Sequence, residues 1–205
     1  MKISKVVKIL IFSDSVMAFG WGLLAPVFSI FIIQNIQGAD IKTASFAAAI
    51  FWIAKSIFQI PIGKYLDRQE GEKDDFYFVV VGTFIVGLVP FGYLLVLLSW
   101  HIYLLQFFYG IGIAMTWTAW YAIFTRHINK GREAFEWSLE NTALGIGGGI
   151  ASAVGGIVIA NFGFETIFIL VGSFTFLSSF LALFIHKYLN VKGDHSLHTG
   201  PPSRI

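Results

Sequence analysis

The sequence predicts an all-α integral membrane protein with six transmembrane helices and both termini in the cytoplasm. Three observations predict it. Of the 205 residues, 56% are hydrophobic and 13% charged, and the mean hydropathy is +0.74; a soluble domain carries about 25% charged residues. The charges are bunched between long apolar runs, the pattern of segments that cross a bilayer. The basic residues collect at the termini and in every second connection. Lys2, Lys5 and Lys8, then Lys64, Arg68 and Lys73, then Arg126, Lys130 and Arg132, and finally Lys187, Lys192 and Arg204 make up twelve of the fourteen Lys and Arg. The side that carries them is the cytoplasmic one.

The first helix is expected over residues 6–33. Its basic start and long apolar run lack a small-x-small cleavage site, so it reads as a retained helix rather than a signal peptide. The second is expected over 41–65, the third over 76–99 and the fourth over 102–124. The fifth is expected over 139–160 and the sixth over 166–185. Each is long enough for about 30 Å of hydrocarbon at about 1.5 Å per residue. An open strand would leave backbone groups unpaired in lipid, so helix is the only viable assignment. The outer connections, 34–40, 100–101 and 161–165, are too short for an outer domain. Residues 1–186 are expected to form the membrane domain. Residues 187–205 are expected to form a polar, disordered cytoplasmic tail with Gly200, Pro201 and Pro202. His195 and His198 are read there as solvated residues with no third metal ligand near.

Several function classes are excluded. The chain has no Cys, so thiol chemistry and disulfides are absent. A net charge of +2 without a basic, aromatic-studded run does not suit nucleic acid. No His-Glu-x-x-His, phosphate loop or nucleophile elbow is present, so no enzyme activity or cofactor is expected. The glycines at 145–149 lie in a membrane helix rather than after a strand.

Asp14 and Lys55 are the informative charges. Lys55 lies about 15 Å along the second helix from its cytoplasmic end, too deep to snorkel readily. Asp14 lies about 9 Å beyond Lys8 on the first helix. Charges at such depth are expensive in lipid, so the two are expected to be partners in a substrate or proton site, with a structural ion pair, or an Asp14 wetted from the interface, as the alternatives. Trp21 lies seven residues after Asp14 on the same helix face. Tyr109, Trp117, Trp120 and Tyr121 occupy the fourth helix. Aromatic rings beside a few polar groups suit an amphipathic or ring-shaped ligand, although an interfacial belt accounts equally for the last two. Gly145/Gly149 and Gly148/Ser152/Gly156 set small residues four apart, which permits close helix packing. Glu136 and Glu140 flank the start of the fifth helix, as solvated helix-end acids or as partners of the loop after the second.

The stretch Pro61-Ile-Gly63-Lys64-Tyr-Leu-Asp67-Arg68 resembles the loop signature of the major facilitator superfamily, Gly-x-x-x-Asp-Arg-x-Gly. Gly71 comes one residue late, and Glu70, Glu72, Asp74 and Asp75 replace part of the usual basic run. Gly20, Gly22 and Pro26 resemble the family's first-helix pattern. Gln106-Phe-Phe-Tyr-Gly110-Ile-Gly112 resembles Arg-x-x-x-Gly-x-Gly, with Gln106 in the place of Arg. Gly145–Gly149 and Gly155-Gly156 resemble the glycine-rich fifth helix, with Ala151-Ser152 where antiporters have Gly-Pro. Gly163-Phe164-Glu165-x-x-Phe168 resembles Gly-Trp-Arg-x-x-Phe. The resemblance covers residues 6–186.

It implies a six-helix half of a twelve-helix fold, itself two inverted three-helix repeats. It also implies a secondary transporter of small molecules by alternating access. Two copies would rebuild both halves, so a homodimer is expected, with an excised half of a longer protein, or a non-transporting sensor or assembly module, as alternatives. The first and fourth helices would line the cavity, giving Asp14, Lys55, Trp21, Gln106, Tyr109, Trp117 and Trp120 as candidate substrate or ion contacts, with protons as a candidate coupling ion. The second and fifth helices would meet across the dimer through Ala44, Ala48, Gly145, Gly149 and Gly156. Gly63, Lys64, Asp67, Arg68, Glu136 and Glu140 would form a cytoplasmic gate.

Overall fold

The computed structural model describes residues 3–189, and most of the expected tail lies outside the described residues. The described chain is helical: α1 (Lys5–Leu24), α2 (Phe28–Asn35), α3 (Ile41–Leu66), α4 (Lys73–Tyr93), α5 (Ser99–His127) and α6 (Glu133–Leu183), followed by a 3-10 turn at Phe184–Tyr188. Gly163 divides α6 into two arms, 133–162 and 164–183, at φ 78° and ψ 177°. That backbone is open to glycine and strained for other residues. The arms are the expected fifth and sixth spans, so six membrane-length helices are present.

Side chains cap the starts of α1, α3 and α5. Ser4 accepts from the Val7 amide at 3.1 Å. Asp40 accepts from the Thr43 amide at 2.9 Å, and Thr43 Oγ1 accepts from the Asp40 amide at 3.3 Å, a reciprocal cap. These hydrogen bonds favour the Asp40 carboxylate and lower its pKa. At α5, His101 Nδ1 accepts from the amides of Leu97 and Leu98 at 3.2 and 3.4 Å.

The expected first helix is broken. Pro26 has no amide to offer the Gly22 carbonyl four residues back, and its ring crowds the preceding turn. The chain leaves the helix at Ala25 and resumes as α2. The freed Gly22 carbonyl accepts from Ser152 Oγ of α6 at 3.2 Å, a side-chain replacement for the missing backbone bond. The third and fourth spans begin three residues earlier than expected, at Lys73 and Ser99.

α1 packs along α6, α4 lies against both α5 and α6, and α3 packs mainly on α5. The basic end of the bundle gathers the start of α1, the 66–73 connection, the 127–133 connection and the 3-10 turn. Lys5 Nζ sits 5.3 Å from the Tyr188 ring there, and His186 lies 5.0 Å from Phe76. At the far end the Gln37 amide donates to the Leu97 carbonyl at 3.2 Å. Apolar burial gives little drive between helices in lipid, so close backbone approach takes its place. A Cβ on Gly155 would stand 2.1 Å from the Leu23 carbonyl oxygen, and one on Gly110 would stand 2.8 Å from that of Phe51. These two contacts fix α6 on α1 and α5 on α3.

α3 remains the least covered span, with Phe46, Trp52, Ile53, Ile57 and Ile60 exposed. Ala44 departs from expectation. It is buried in the chain's own core with Phe31, Ile36 and Ala47, because α2 folds back beside the start of α3. It is therefore not free to meet a second copy. Ala48 remains exposed, and a Cβ at Gly145, Gly149 or Gly156 would meet nothing within 4 Å.

Candidate functional site

Three helices meet in an aromatic stack near mid-span. Trp21 of α1 stacks on Tyr109 of α5 with centroids 4.3 Å apart, and Tyr109 stacks on Phe51 of α3 at 4.6 Å. Gly110, next to Tyr109, allows α5 and α3 to approach closely enough for this. Met17, Val86 and Ile113 pack around the stack, and Trp117 joins them one turn further along α5.

Toward the basic end a second aromatic group forms. Trp120 stacks on Phe124 at 4.6 Å, Phe124 lies 4.6 Å from Trp137 of α6, and Trp117 lies 5.6 Å from Trp120. Beside it the Asp14 carboxyl lies near enough to that of Glu140 on α6 for the two to interact, and both residues are buried. The Tyr121 phenol lies close enough to feel both carboxyls. A hydrogen bond between two carboxyl groups needs one proton between them, because an ionised carboxylate only accepts.

The expected pairing of Asp14 with Lys55 is not what the chain forms. α1 and α3 are not close neighbours, since α5 and α6 intervene in the packing. Lys55 is half-buried on α3 with its ammonium 4.8 Å above the Trp52 ring. Gln106 is likewise engaged elsewhere, donating to the Tyr93 hydroxyl of α4 at 3.2 Å.

The gate residues separate into two sets. Lys64, Asp67 and Arg68 are exposed at the end of α3, and Gly63 sits against Thr118 of α5. Glu136 and Glu140 are buried within their own chain, against the expectation that they are solvated helix-end acids or reach across a dimer. Glu136 accepts from Asn129 Nδ2 at 2.5 Å. The first arm of α6 packs on α1 and sets Trp137 against Trp120 and Phe124 of α5, and both acids are covered there.

The sequence reading missed a polar clamp at the basic end. Arg126 of α5 donates to Asp75 of α4, and His127 Nε2 lies 3.0 Å from Glu72. The signal was present as acids at 70–75 and bases at 126–127, opposite charges at two ends on the same side. Thr118 and Trp137 were also missed, because nothing in their spacing separates them from packing residues.

Six buried polar atoms have no hydrogen-bonding partner among the described residues. Five of them lie on α1, α5 and the first arm of α6: Asp14 Oδ2, Trp21 Nε1, Thr118 Oγ1, Trp120 Nε1 and Glu136 Oε2. Buried polar atoms normally find partners. Their concentration on these three elements marks where water, protons or a ligand would supply them.

Comparison with known proteins agrees with this architecture. A search of curated proteins returned no match. The profile of the Major Facilitator Superfamily matches residues 10–201, nearly the whole chain. With its long apolar helices, five among the described residues and the last divided at Gly163, and its helical half fold, the chain belongs to the major facilitator superfamily, a family of membrane transporters.

Proposed function

We propose that the chain is a secondary transporter of small molecules working by alternating access, assembled from two copies, with its basic end in the cytoplasmic face of the cell membrane. The observation that carries this reading is the set of unpartnered polar atoms on α1, α5 and α6, one on Trp21 of the Trp21–Tyr109–Phe51 stack and the others toward the basic end, near the Trp120–Phe124–Trp137 group. Such groups are costly unless a ligand, water or proton serves them. Flat rings and few hydrogen-bonding atoms suit an aromatic or amphipathic substrate.

Asp14 and Glu140 are the proton site in this reading. Two carboxyls in contact hold one proton far more readily than two charges. A proton arriving or leaving changes the charge between α1 and α6, and so the fit of the two helices. Lys55 supports the two-copy assembly. An ammonium midway along the least covered span needs a cavity or a partner rather than acyl chains. Lys64, Asp67 and Arg68 form the gate in this reading, meeting the N-terminus of α6 in the second copy, where free amides favour an anion.

The test uses purified protein in vesicles holding a pH-sensitive dye, with the aromatic cation ethidium and a neutral aromatic as probes. Addition of a transported probe is expected to move protons with the wild type and not with Asp14→Asn. A chain that stays strictly monomeric in nanodiscs, and moves neither probe nor protons, overturns the reading.

A further inference from the structure

Away from the site just described, the basic end carries a groove of about 770 Å³ between α1 and the end of α6. Its lining combines basic residues, Lys8, His186 and Lys187, with apolar ones that include Ile9, Phe12 and Phe184. Among the described residues no carboxylate lines it. Phe12 of α1 is 60% exposed and Phe184, which opens the 3-10 turn, is 55% exposed, where apolar surface meets the basic rim. Lys5 adds a further cation next to the groove, held over the Tyr188 ring.

We infer that this groove binds an anionic phospholipid, with the headgroup phosphate on Lys8 and Lys187 and the upper acyl chain along Phe12 and Phe184. The volume falls within the range of about 300–1,000 Å³ usual for ligand clefts. It takes a headgroup and the first part of a chain, and the rest of the lipid lies along the exposed outer faces of α1 and α6. Charge complementarity selects the headgroup. Two ammonium groups and an imidazole, with no acid among the described lining residues, favour a phosphate that carries net negative charge over one neutralised by choline. The apolar lining selects a lipid over a soluble phosphate. The continuous chain explains the geometry. The 3-10 turn at Phe184–Tyr188 packs on α1, so that Lys187 lines the same groove as Lys8. The site depends on neither the dimer nor the proton pair, so it stands or falls separately from the transport reading.

Native mass spectrometry of the full chain in detergent tests it, with dioleoyl phosphatidylglycerol and dioleoyl phosphatidylcholine as competing probes. Preferential retention of phosphatidylglycerol is expected. Lys8→Gln/Lys187→Gln is expected to weaken that retention by roughly tenfold or more, at about a factor of five per basic residue near the phosphate. Both lysines are exposed, so the fold should survive, and an unchanged elution volume and thermal midpoint check this. Lys73→Gln/Lys130→Gln removes the same charge from the same end outside the groove and is expected to leave retention unchanged. Phe12→Ala is expected to weaken both lipids together. Equal retention of the two lipids overturns the proposal, as does an equal loss in the control pair. Displacement of phosphatidylglycerol by millimolar inorganic phosphate also overturns it, since a headgroup-only site would then be the better account.

Discussion

Asp14 and Glu140 show how far one buried contact can redirect a functional reading. On sequence alone Asp14 has a natural partner in Lys55, because opposite charges in apolar helices should find one another. The chain instead turns two acids together and leaves the ammonium on an indole ring. The two arrangements predict different energetics. A neutral partner for an acid is a second, protonated acid, so removing either member leaves a buried carboxyl with less to bond. A double-mutant cycle in proton-linked transport or thermal stability should therefore show coupling between Asp14→Asn and Glu140→Gln of about 0.5–3 kcal/mol. The cycle between Asp14→Asn and Lys55→Gln should be additive within about 0.5 kcal/mol, because the side chains do not share a partner. Coupling in the second cycle and none in the first would reverse the assignment. Residue-level legibility was uneven for a physical reason. Lone charges in apolar runs are visible in any sequence, whereas their partners are set by which helices lie side by side. Glu136 and Glu140 looked like solvated helix-end acids because the arm that buries them extends six residues beyond the apolar run.

At the scale of elements, the spans were legible wherever apolar runs end in charge. The start of α3 at Ile41 agrees with expectation, and its Asp40–Thr43 cap was written in adjacent residues. The break after α1 was less visible, since residues on both sides of Pro26 stay apolar and hydropathy does not report a missing amide. Its compensation, Ser152 bonding to Gly22, joins residues 130 positions apart. The glycine-rich stretch of α6 also proves to have two faces. Gly148, Ala151, Ser152 and Gly155 lie against α1 at Gly22 and Leu23, whereas Gly145, Gly149 and Gly156 face open space. Alanine separates the two roles. Gly155→Ala drives a methyl into the Leu23 carbonyl and should destabilise the chain by about 1–3 kcal/mol, measured as loss of the folded fraction in detergent. Gly149→Ala should leave that stability unchanged or slightly raised, because the site is open and helical. Its effect belongs to assembly. Equal losses from both substitutions would mean that the two faces are packed alike.

For the whole molecule, the dimer reading depends on surfaces that the single chain leaves uncovered. α3 keeps a row of apolar side chains and Ala48 exposed, and the first arm of α6 keeps Gly145, Gly149 and Gly156 exposed. In lipid, exposed apolar residues alone would need no partner. Small residues are different, because a flat strip lets a second backbone approach within reach of dispersion contacts. Two copies with α3 of each against α6 of the other would place both strips in contact twice, as a closed twofold requires. They would also enclose Lys55 and the open sides of the Trp21–Tyr109–Phe51 stack between the copies. Ala44 no longer takes part, since α2 covers it, so the interface must lie toward Ala48 and the middle of α3. Cysteines at Ala48 and Gly149, in a chain that has no cysteine of its own, give a clean test. Copies carrying one or the other, mixed in vesicles, should form a crosslinked band at dimer mass, and neighbouring positions on the two faces should do so with a helical period. Orientation can be read in the same preparation. A cysteine at Gln37 should take a membrane-impermeant label from outside the cell, and one at Gln69 should not. Crosslinks that appear instead on α4 or the second arm of α6 would move the interface to the other side of the bundle. Lys55 would then face lipid, and a cavity between two copies could no longer account for it.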